Sequence, residues 1–465
     1  MPNQPSGARH EVGVDELFFS TTDARGVIKR ANNVFVRLSH FEADELSQAP
    51  HNLIRHPAMP AGAFHAMWDT LKAGRPFAAY VRNLAGNGSE YRVFATVTPM
   101  RNGDYLSVRS RPMRADLEET AYALYEQALG FEQEAAAGGA NRRETAAQGA
   151  GKLVELLAEA GLDSYEAFQN VALPAEVASW EESGQGLAQR PGTVGPQARA
   201  LEAVHALSAD LDAWMSRLDA LADLDHAIKR TSKRLNRAVN NPAISSESVA
   251  SLDRSDAGLS TLGQLLDLWL QMQGLITPQV SSLQQTLAQM EATVGRTRFR
   301  IALARLHASM TATFLAELID GEASGAEGAG TAASEDSELT RGAINDLGQA
   351  LREGMEDFAA QTRSYQELAA QTGDAVAQVQ RLLAIPHQIL ELWTNSPKSQ
   401  DPNLPEAAQS LTKAAAAAVS GSEQILMDLA GLVEQCTSAA VGEDAGQEAD
   451  LRALVEQVCA AIEAA

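Results

Sequence analysis

Side chains suited to binding a small molecule are concentrated near the start of the chain, in residues 50–60 and shortly after them. Arg55 offers a planar fork of N–H donors that suits paired acceptors such as a pyrophosphate. Asn83 carries an amide that can donate or accept a hydrogen bond, and Trp68 supplies an aromatic surface. Each residue also has a structural interpretation. Trp68 on an amphipathic helix is often part of a core, His56 before a proline can cap a turn, and an isolated Arg55 can be a surface cation.

No group of residues in the sequence has the pattern of an enzyme active site. There is no nucleophile–base arrangement, P-loop, GxSxG string, histidine-kinase motif or GGDEF-type loop, so we expect a protein without catalytic activity. The two cysteines, Cys436 and Cys459, lie in Ala-rich sequence without CxxC or His/Cys spacing. No metal site is therefore expected, and both thiols are expected to be buried in a reducing compartment.

Charge is distributed unevenly along the chain. Residues 1–114 carry 14 Lys and Arg against 10 Asp and Glu, whereas the remaining residues carry 23 against 50. Residues 1–114 also contain 11 of the 24 aromatic residues. A domain boundary is therefore expected near residue 114. The acidic body repels phosphate backbones and anionic lipid, which argues against nucleic acid and membrane surfaces as partners. Without a signal-peptide core or a run of 18 apolar residues, a cytoplasmic protein with no membrane insertion is expected.

The front region has the strand and helix patterns of an α+β domain. Residues 16–21 and 27–30 predict two strands, and residues 60–72 predict an amphipathic helix that ends at Gly74. Three more strands are expected at 77–83, 90–99 and 105–111, joined by the hairpin signals Asn87-Gly88 and Asn102-Gly103. We therefore predict an antiparallel sheet with helices on one face, and a pocket between the two layers.

Several strings in this region resemble the PAS domain of bacterial aerotaxis receptors. They are STTD at 20–23, ANNxF at 31–35, PHNxxRHPxMP at 50–60 and AFxxMWxTLKxG at 63–74, together with Asn87-Gly88. The resemblance covers residues 14–112 and implies a sensory PAS domain that holds FAD non-covalently and reports redox or oxygen status. It also implies a set of residues that contact or shape the flavin site, namely Asn32, His51, Arg55, His56, Trp68 and Asn83.

The sequence departs from the family pattern at three positions. Ala58 stands where an acidic residue is usual, and Phe77 and Arg92 stand where tryptophan is usual. These differences bear on the affinity for FAD and on its redox potential. The front region is also rich in histidine, and some PAS domains ligate heme iron through one imidazole. Heme is therefore an alternative cofactor, and an empty or differently filled pocket is another.

The chain after residue 114 is expected to be mainly α-helical. We expect an exit helix at 115–135, a loosely ordered Ala/Gly-rich segment at 135–148, and further helices at 150–240, 258–395 and 404–465. Apolar residues recur every seven positions from Val280 to Ile301 and, with Thr372 as the one polar position, from Ile344 to Val379. A Gly-rich linker at 320–336 lies between the two series. This pattern predicts a helical hairpin or bundle, partly coiled coil, in which the helices pair within one chain or between chains.

No motif in the sequence identifies the downstream partner of such a sensor. Aerotaxis receptors end in a helical hairpin whose tip string binds the chemotaxis kinase, and that string is absent here. We therefore expect a cytoplasmic redox or oxygen sensor, homo-oligomeric, in which a PAS-bound flavin is read out by helices that contact an unknown signalling protein. The alternative is a structural or scaffolding helical protein whose ligand-free PAS domain serves dimerisation.

Overall fold

The computed structural model describes residues 4–183, 187–239, 242–323, 331–441 and 444–464, which fall into two compact units. The first unit comprises Met1–Met215, Gly295–Ala359 and Gly446–Ala465, and the second comprises Ser216–Val294 and Ala360–Ala445. The two longest helices each contribute residues to both units.

The first unit contains the predicted antiparallel sheet. Its five strands are β1 (Phe18–Thr22), β2 (Ile28–Ala31), β3 (Phe77–Leu84), β4 (Glu90–Pro99) and β5 (Tyr105–Ser110), in the order β2-β1-β5-β4-β3. Gly88 and Gly103 adopt φ of 83° and 86° in the two hairpin turns, which is the conformation that an Asn-Gly pair supplies at low cost. Ala95 pairs with Arg109 across β4 and β5, so alternate residues of these strands face the same layer.

Three helices cover one face of this sheet, as predicted: α1 (Asn33–Ser39), α2 (Ala43–Leu46) and α3 (Ala61–Lys72). Gly74, at φ 74°, follows the last turn of α3. The core between the layers is built from large apolar side chains of both, including Phe18, Phe35, Leu38, Ile54, Tyr91 and Val93. This burial of apolar surface holds the helical layer on the sheet.

The helices that follow the sheet pack against both of these layers. They are α4 (Ala115–Ala137), α5 (Arg142–Glu159) and α6 (Tyr165–Glu182). Helices α4 and α5 lie against α3, whereas α6 covers the opposite face of the sheet, where the ring of Phe168 lies 6.2 Å from that of Tyr80. The sheet is therefore covered by helices on both faces.

The expectation of a loosely ordered segment at 135–148 is wrong over most of its length. Helix α4 continues to Ala137, and α5 already begins at Arg142. A capping box starts α5: the Asn141 side chain accepts from the backbone N–H of Glu144, and the Glu144 carboxylate accepts from the backbone N–H of Asn141. This reciprocal pair satisfies N–H groups that a helix start otherwise leaves unbonded.

The remaining helices are long, except for the five-residue α8. They are α7 (Pro196–Val239), α8 (Ser246–Ala250), α9 (Ala257–Ala323), α10 (Thr331–Thr394), α11 (Glu406–Val441) and α12 (Asp444–Glu463). The predicted linker at 320–336 is helical up to Ala323 and from Thr331, and residues 324–330 lie outside the described residues.

The seven-residue apolar series are buried within the chain. In the second unit, Leu283 of α9 and Val379 of α10 share one core with Ile228 of α7 and Leu429 of α11. The two series therefore meet in a bundle to which other helices contribute, and their burial requires no second chain. Within the described part of the chain, no helix is long and apolar enough to cross a membrane.

Candidate ligand-binding site

A cavity of about 270 Å³ lies between the sheet and α3, and we call it the inner cavity. Alternate residues of three strands line its sheet side: Val81 and Asn83 of β3, Ala95 and Val97 of β4, and Tyr105, Ser107 and Arg109 of β5. Ala95 and Ser107 have small side chains, which leaves room above the sheet. The opposite wall comes from α3 and from the segment before it, through Phe64, Met67, Trp68, Leu71, His51 and Arg55.

The Arg109 guanidinium is a buried cation in the wall of the inner cavity. The residue is 3% exposed, and burial lowers its pKa to about 10. Its Nη2 donates to the Ser20 hydroxyl at 3.1 Å, whereas its Nη1 has no hydrogen-bond partner in the part of the chain that the structure describes. Among the described residues no carboxylate pairs with Arg109, and none lines the inner cavity. A buried cation without a counter-charge is costly, so this wall suits a ligand that brings negative charge or strong acceptors.

Asn83 supplies a second buried donor in the same wall. The residue is 3% exposed, and its Nδ2 has no hydrogen-bond partner among the described residues. Buried amide groups are nearly always hydrogen-bonded in folded proteins. The backbone of Asn83 also forms a bridge with that of Arg55, which fixes the separation of these two residues.

His51 positions Arg109. Its Nε2 contacts Arg109 Nη2, and its ring stacks on Phe35 with 18° between the planes. Burial lowers the pKa of His51 to about 3, and the positive charge of Arg109 contributes to this shift. The imidazole is therefore neutral at ordinary pH and accepts a hydrogen bond from the guanidinium.

Arg55 and Trp68 are held by packing at the α3 side of the inner cavity. The Arg55 guanidinium donates to the Met59 carbonyl at 3.2 Å. Trp68 meets the edge of Tyr105 at 5.5 Å. Gly26 lies against the Trp68 indole and has a φ of 79°. A Cβ at this position would lie 3.2 Å from Trp68 Cζ2. These contacts keep the aromatic surface of Trp68 against the inner cavity.

Comparison with known proteins identifies the domain that carries this cavity. Residues 28–109 match the family described as the PAS fold. These residues form a PAS domain. The aerotaxis receptor of Escherichia coli (strain K12) is 45% identical over 101 residues, which are 21% of this chain and 20% of the receptor. The chain thus matches about a fifth of the length of that relative, and the helices after the PAS domain lie outside the family match.

A solved structure of a fungal LOV domain photoreceptor also aligns with the chain. It is 17% identical and covers 23% of this chain and 81% of its own, with a TM-score of 0.19. This score supports no conclusion about the fold.

Two of the six residues implied by the resemblance do not line the inner cavity of the PAS domain. The Asn32 side chain caps α1 by accepting from the Phe35 N–H, and it also accepts from the Phe19 N–H, both at 3.3 Å. His56 caps a turn, because its Nδ1 accepts from the Ala58 N–H at 3.1 Å. Both residues shape the backbone around the inner cavity, whereas His51, Arg55, Trp68 and Asn83 line it.

The three departures from the family pattern also lie outside the cavity lining. Phe77 stacks on Tyr165 of α6. Arg92 donates to Glu90 at 2.6 Å and lies over the Tyr122 ring of α4. These two substitutions therefore affect contacts between the PAS sheet and the following helices more directly than they affect a ligand.

The sequence motifs did not reveal Arg109, which lies beyond the last of them. A signal was nonetheless present, because β5 alternates Tyr105, Ser107 and Arg109 on one face. A charged residue on the inward face of a strand is the feature that marks this position. Within the described residues, no group of His, Cys, Asp and Glu is placed to hold a metal ion.

Proposed function

We propose that this chain is a sensory protein whose PAS domain binds FAD with the flavin ring in the inner cavity. The observation that carries the proposal is the pair of buried donors, Arg109 Nη1 and Asn83 Nδ2, that lack partners among the described residues of the cavity wall. A flavin ring offers carbonyl and ring-nitrogen acceptors to such donors. The similarity to the PAS region of an aerotaxis receptor supports this ligand class.

The residues present fit this group. Trp68 and Tyr105 provide aromatic surfaces, and the small side chains of Ala95 and Ser107 leave the space for a flat ring. When bound, a flavin supplies reversible electron-transfer chemistry. The protein binds the ring, excludes water from it, and holds a positive charge at the Arg109 guanidinium. That charge favours whichever redox state of the ring is more negative, because Coulomb interactions are strong in a dry cavity.

Heme is a poorer fit to the same cavity. An axial ligand needs an imidazole nitrogen with a free lone pair directed at open space. His51 is a histidine of the cavity wall, and its Nε2 already accepts from Arg109. His56 lies outside the cavity lining.

Helix α3 offers a route from the ligand to the following helices. One side of α3 lines the inner cavity. At the N-terminus of α3, the backbone N–H groups of Ala61 and Gly62 donate to the Glu132 carboxylate of α4, at 2.8 and 2.7 Å. Gly62 also lies directly against the backbone of Gly149 in α5, with no room for a side chain. A displacement of α3 would therefore move α4 and α5 with it.

Glu176 of α6 offers a second connection, at the point where the chain leaves the sheet. Its carboxylate accepts from the Tyr80 hydroxyl at 2.6 Å and from the backbone N–H groups of Met113 and Arg114 at 2.6 and 3.0 Å. Burial raises the pKa of this carboxyl. One side chain thus joins β3, the segment after β5, and α6.

The proposed role is signal transmission without catalysis, through helices that contact another protein or a second copy of the chain. In the second unit, Leu268 and Leu275 of α9 and Ile385 and Leu392 of α10 are exposed apolar residues at seven-residue spacing. They are the positions where we place contact with a second copy. The competing function is a structural protein whose PAS domain holds no ligand.

Hydrogen exchange of the flavin-loaded protein tests sensing as distinct from scaffolding. We expect amide exchange in α3, α4 and α5 to differ between the oxidised protein and the protein reduced with dithionite. Peptides from α11 serve as the internal reference. Identical exchange in the two redox states would contradict a sensory role even if a flavin is bound.

A further inference from the structure

A second open space lies beside the inner cavity, and we call it the outer cleft. It has a volume of about 750 Å³ and lies between α3, the end of α4 and the beginning of α5. Arg55, Phe64 and Trp68 line both spaces. These three shared side chains place the outer cleft next to the inner cavity.

The lining of the outer cleft is strongly basic. Besides Arg55 it includes Lys72 and His65 of α3 and Arg142 and Arg143 of α5. Asp69 is the carboxylate in the described lining, and it pairs with His65 at 3.0 Å. Neither Arg142 nor Arg143 has a carboxylate partner among the described residues, although the whole chain carries a net charge of −23. The cations of this cleft are therefore available to an anionic ligand.

The sizes of the two spaces indicate how one ligand would occupy them. Small-molecule sites measure about 300–1,000 Å³, so the inner cavity, at about 270 Å³, has room for a ring system but not for an entire dinucleotide. The part of a dinucleotide beyond its ring must leave the inner cavity. The shared side chains Arg55, Phe64 and Trp68 mark where it enters the outer cleft.

We propose that the outer cleft binds the diphosphate of a dinucleotide whose ring occupies the inner cavity, with Arg142 and Arg143 as its principal cations and Lys72 assisting. The inference rests on the proposed flavin function. It places part of the cofactor site on α5, outside the residues that match the PAS fold. The site then selects FAD over riboflavin, because only FAD carries the diphosphate. Occupancy by FAD also joins α5 to α3 through the ligand.

Flavin titrations of the full-length protein test this assignment. Bound flavin is removed, and riboflavin and FAD are titrated back while flavin fluorescence is followed. The variants are Arg142→Gln, Arg143→Gln and the double substitution. Lys152→Gln is the control, since Lys152 is also on α5 and lines neither space. The double variant is expected to lose about ten- to a hundredfold in FAD affinity, the range of one charge-assisted hydrogen bond, with riboflavin affinity unchanged.

The outcomes separate this inference from the function on which it rests. Wild type binding FAD and riboflavin equally tightly would overturn the inference and leave a flavin site in the inner cavity. The same holds if the double variant keeps wild-type FAD affinity, or if Lys152→Gln weakens FAD as much. Failure of the wild type to bind either flavin would overturn the proposed function and the inference together.

Discussion

The Arg55 guanidinium lies 3.9 Å from the centre of the Phe64 ring, and this stacked pair stands where the inner cavity meets the outer cleft. The backbone of Arg55 is bridged to that of Asn83 on β3, and its guanidinium donates to the Met59 carbonyl. Burial lowers the pKa of Arg55, with the charge of Glu132 acting in the opposite direction. One residue thus connects the sheet, the start of α3 and both parts of the proposed ligand site.

Replacing Arg55 with alanine should reduce bound flavin while leaving the helical content intact. The change removes a charge-assisted hydrogen bond, about 1.5–3 kcal/mol, which corresponds to about ten- to a hundredfold in affinity. Flavin content per mole of protein and circular dichroism measure the two effects. Arg37→Ala is the matched control, because Arg37 is exposed, pairs with Glu16 and lines neither space. Equal flavin content in both variants would remove Arg55 from the site.

Replacing Arg109 with methionine should have opposite effects on stability and on binding. The ligand-free protein should become more stable by about 1–3 kcal/mol, because a buried cation without a carboxylate partner is replaced by an apolar side chain. Flavin affinity should fall, because the ligand loses a donor and a counter-charge. Thermal unfolding of the ligand-free protein measures the change in stability, and flavin titration measures the change in affinity. Loss of stability in the ligand-free variant would show that Arg109 serves the fold and not a ligand.

The fold of the PAS domain can be predicted from the sequence because the patterns that specify its elements are local. The Asn-Gly turns, the alternating strands and the amphipathic α3 each depend on neighbouring residues. The Ala- and Gly-rich composition of residues 135–148 indicates a loosely ordered segment, whereas Asn141 and Glu144 form the capping box that starts α5. The pairing of the apolar series was not decidable, since heptad spacing is the same within and between chains.

The residues of the candidate site can be predicted only in part, for a different reason. The motif residues identified the correct region, but a motif does not say which side chains face inward. Asn32 and His56 turned out to bond to the backbone, whereas Arg109 faces the inner cavity without belonging to a motif. The basic lining of the outer cleft depends on contact between α3 and α5, which lie far apart in sequence.

Replacing Glu176 with alanine should loosen the connection between the PAS sheet and the helices. The Tyr80 hydroxyl and the N–H groups of Met113 and Arg114 would lose their acceptor, and each unsatisfied donor costs about 1–3 kcal/mol. We expect a lower melting temperature and faster trypsin cleavage after Arg114. Glu182→Ala is the control, because Glu182 is exposed on the same helix. Equal melting temperatures and cleavage rates in the two variants would argue against the connection.

His51 should make the stability of the ligand-free protein depend on pH. Its pKa is about 3 when folded and about 6.5 when unfolded. Between these values the unfolded chain binds more protons, so stability falls as pH drops, by at most about 1.4 kcal/mol per pH unit. His51→Gln keeps an acceptor for Arg109 and should show a smaller fall in melting temperature from pH 7 to pH 5 than the wild type. His226→Gln, an exposed position on α7, is the control. An equal fall in the wild type and in His51→Gln would mean that folding does not lower the pKa of His51.

The most direct test of a flavin in the PAS domain is the visible absorption spectrum of the purified full-length protein after incubation with FAD and removal of unbound ligand. We predict the two visible bands of an oxidised flavin, and release on denaturation of a chromophore that co-migrates with FAD. The bands should weaken when dithionite is added and return in air. A heme Soret band, or no visible absorbance after reconstitution, would contradict the proposed flavin site.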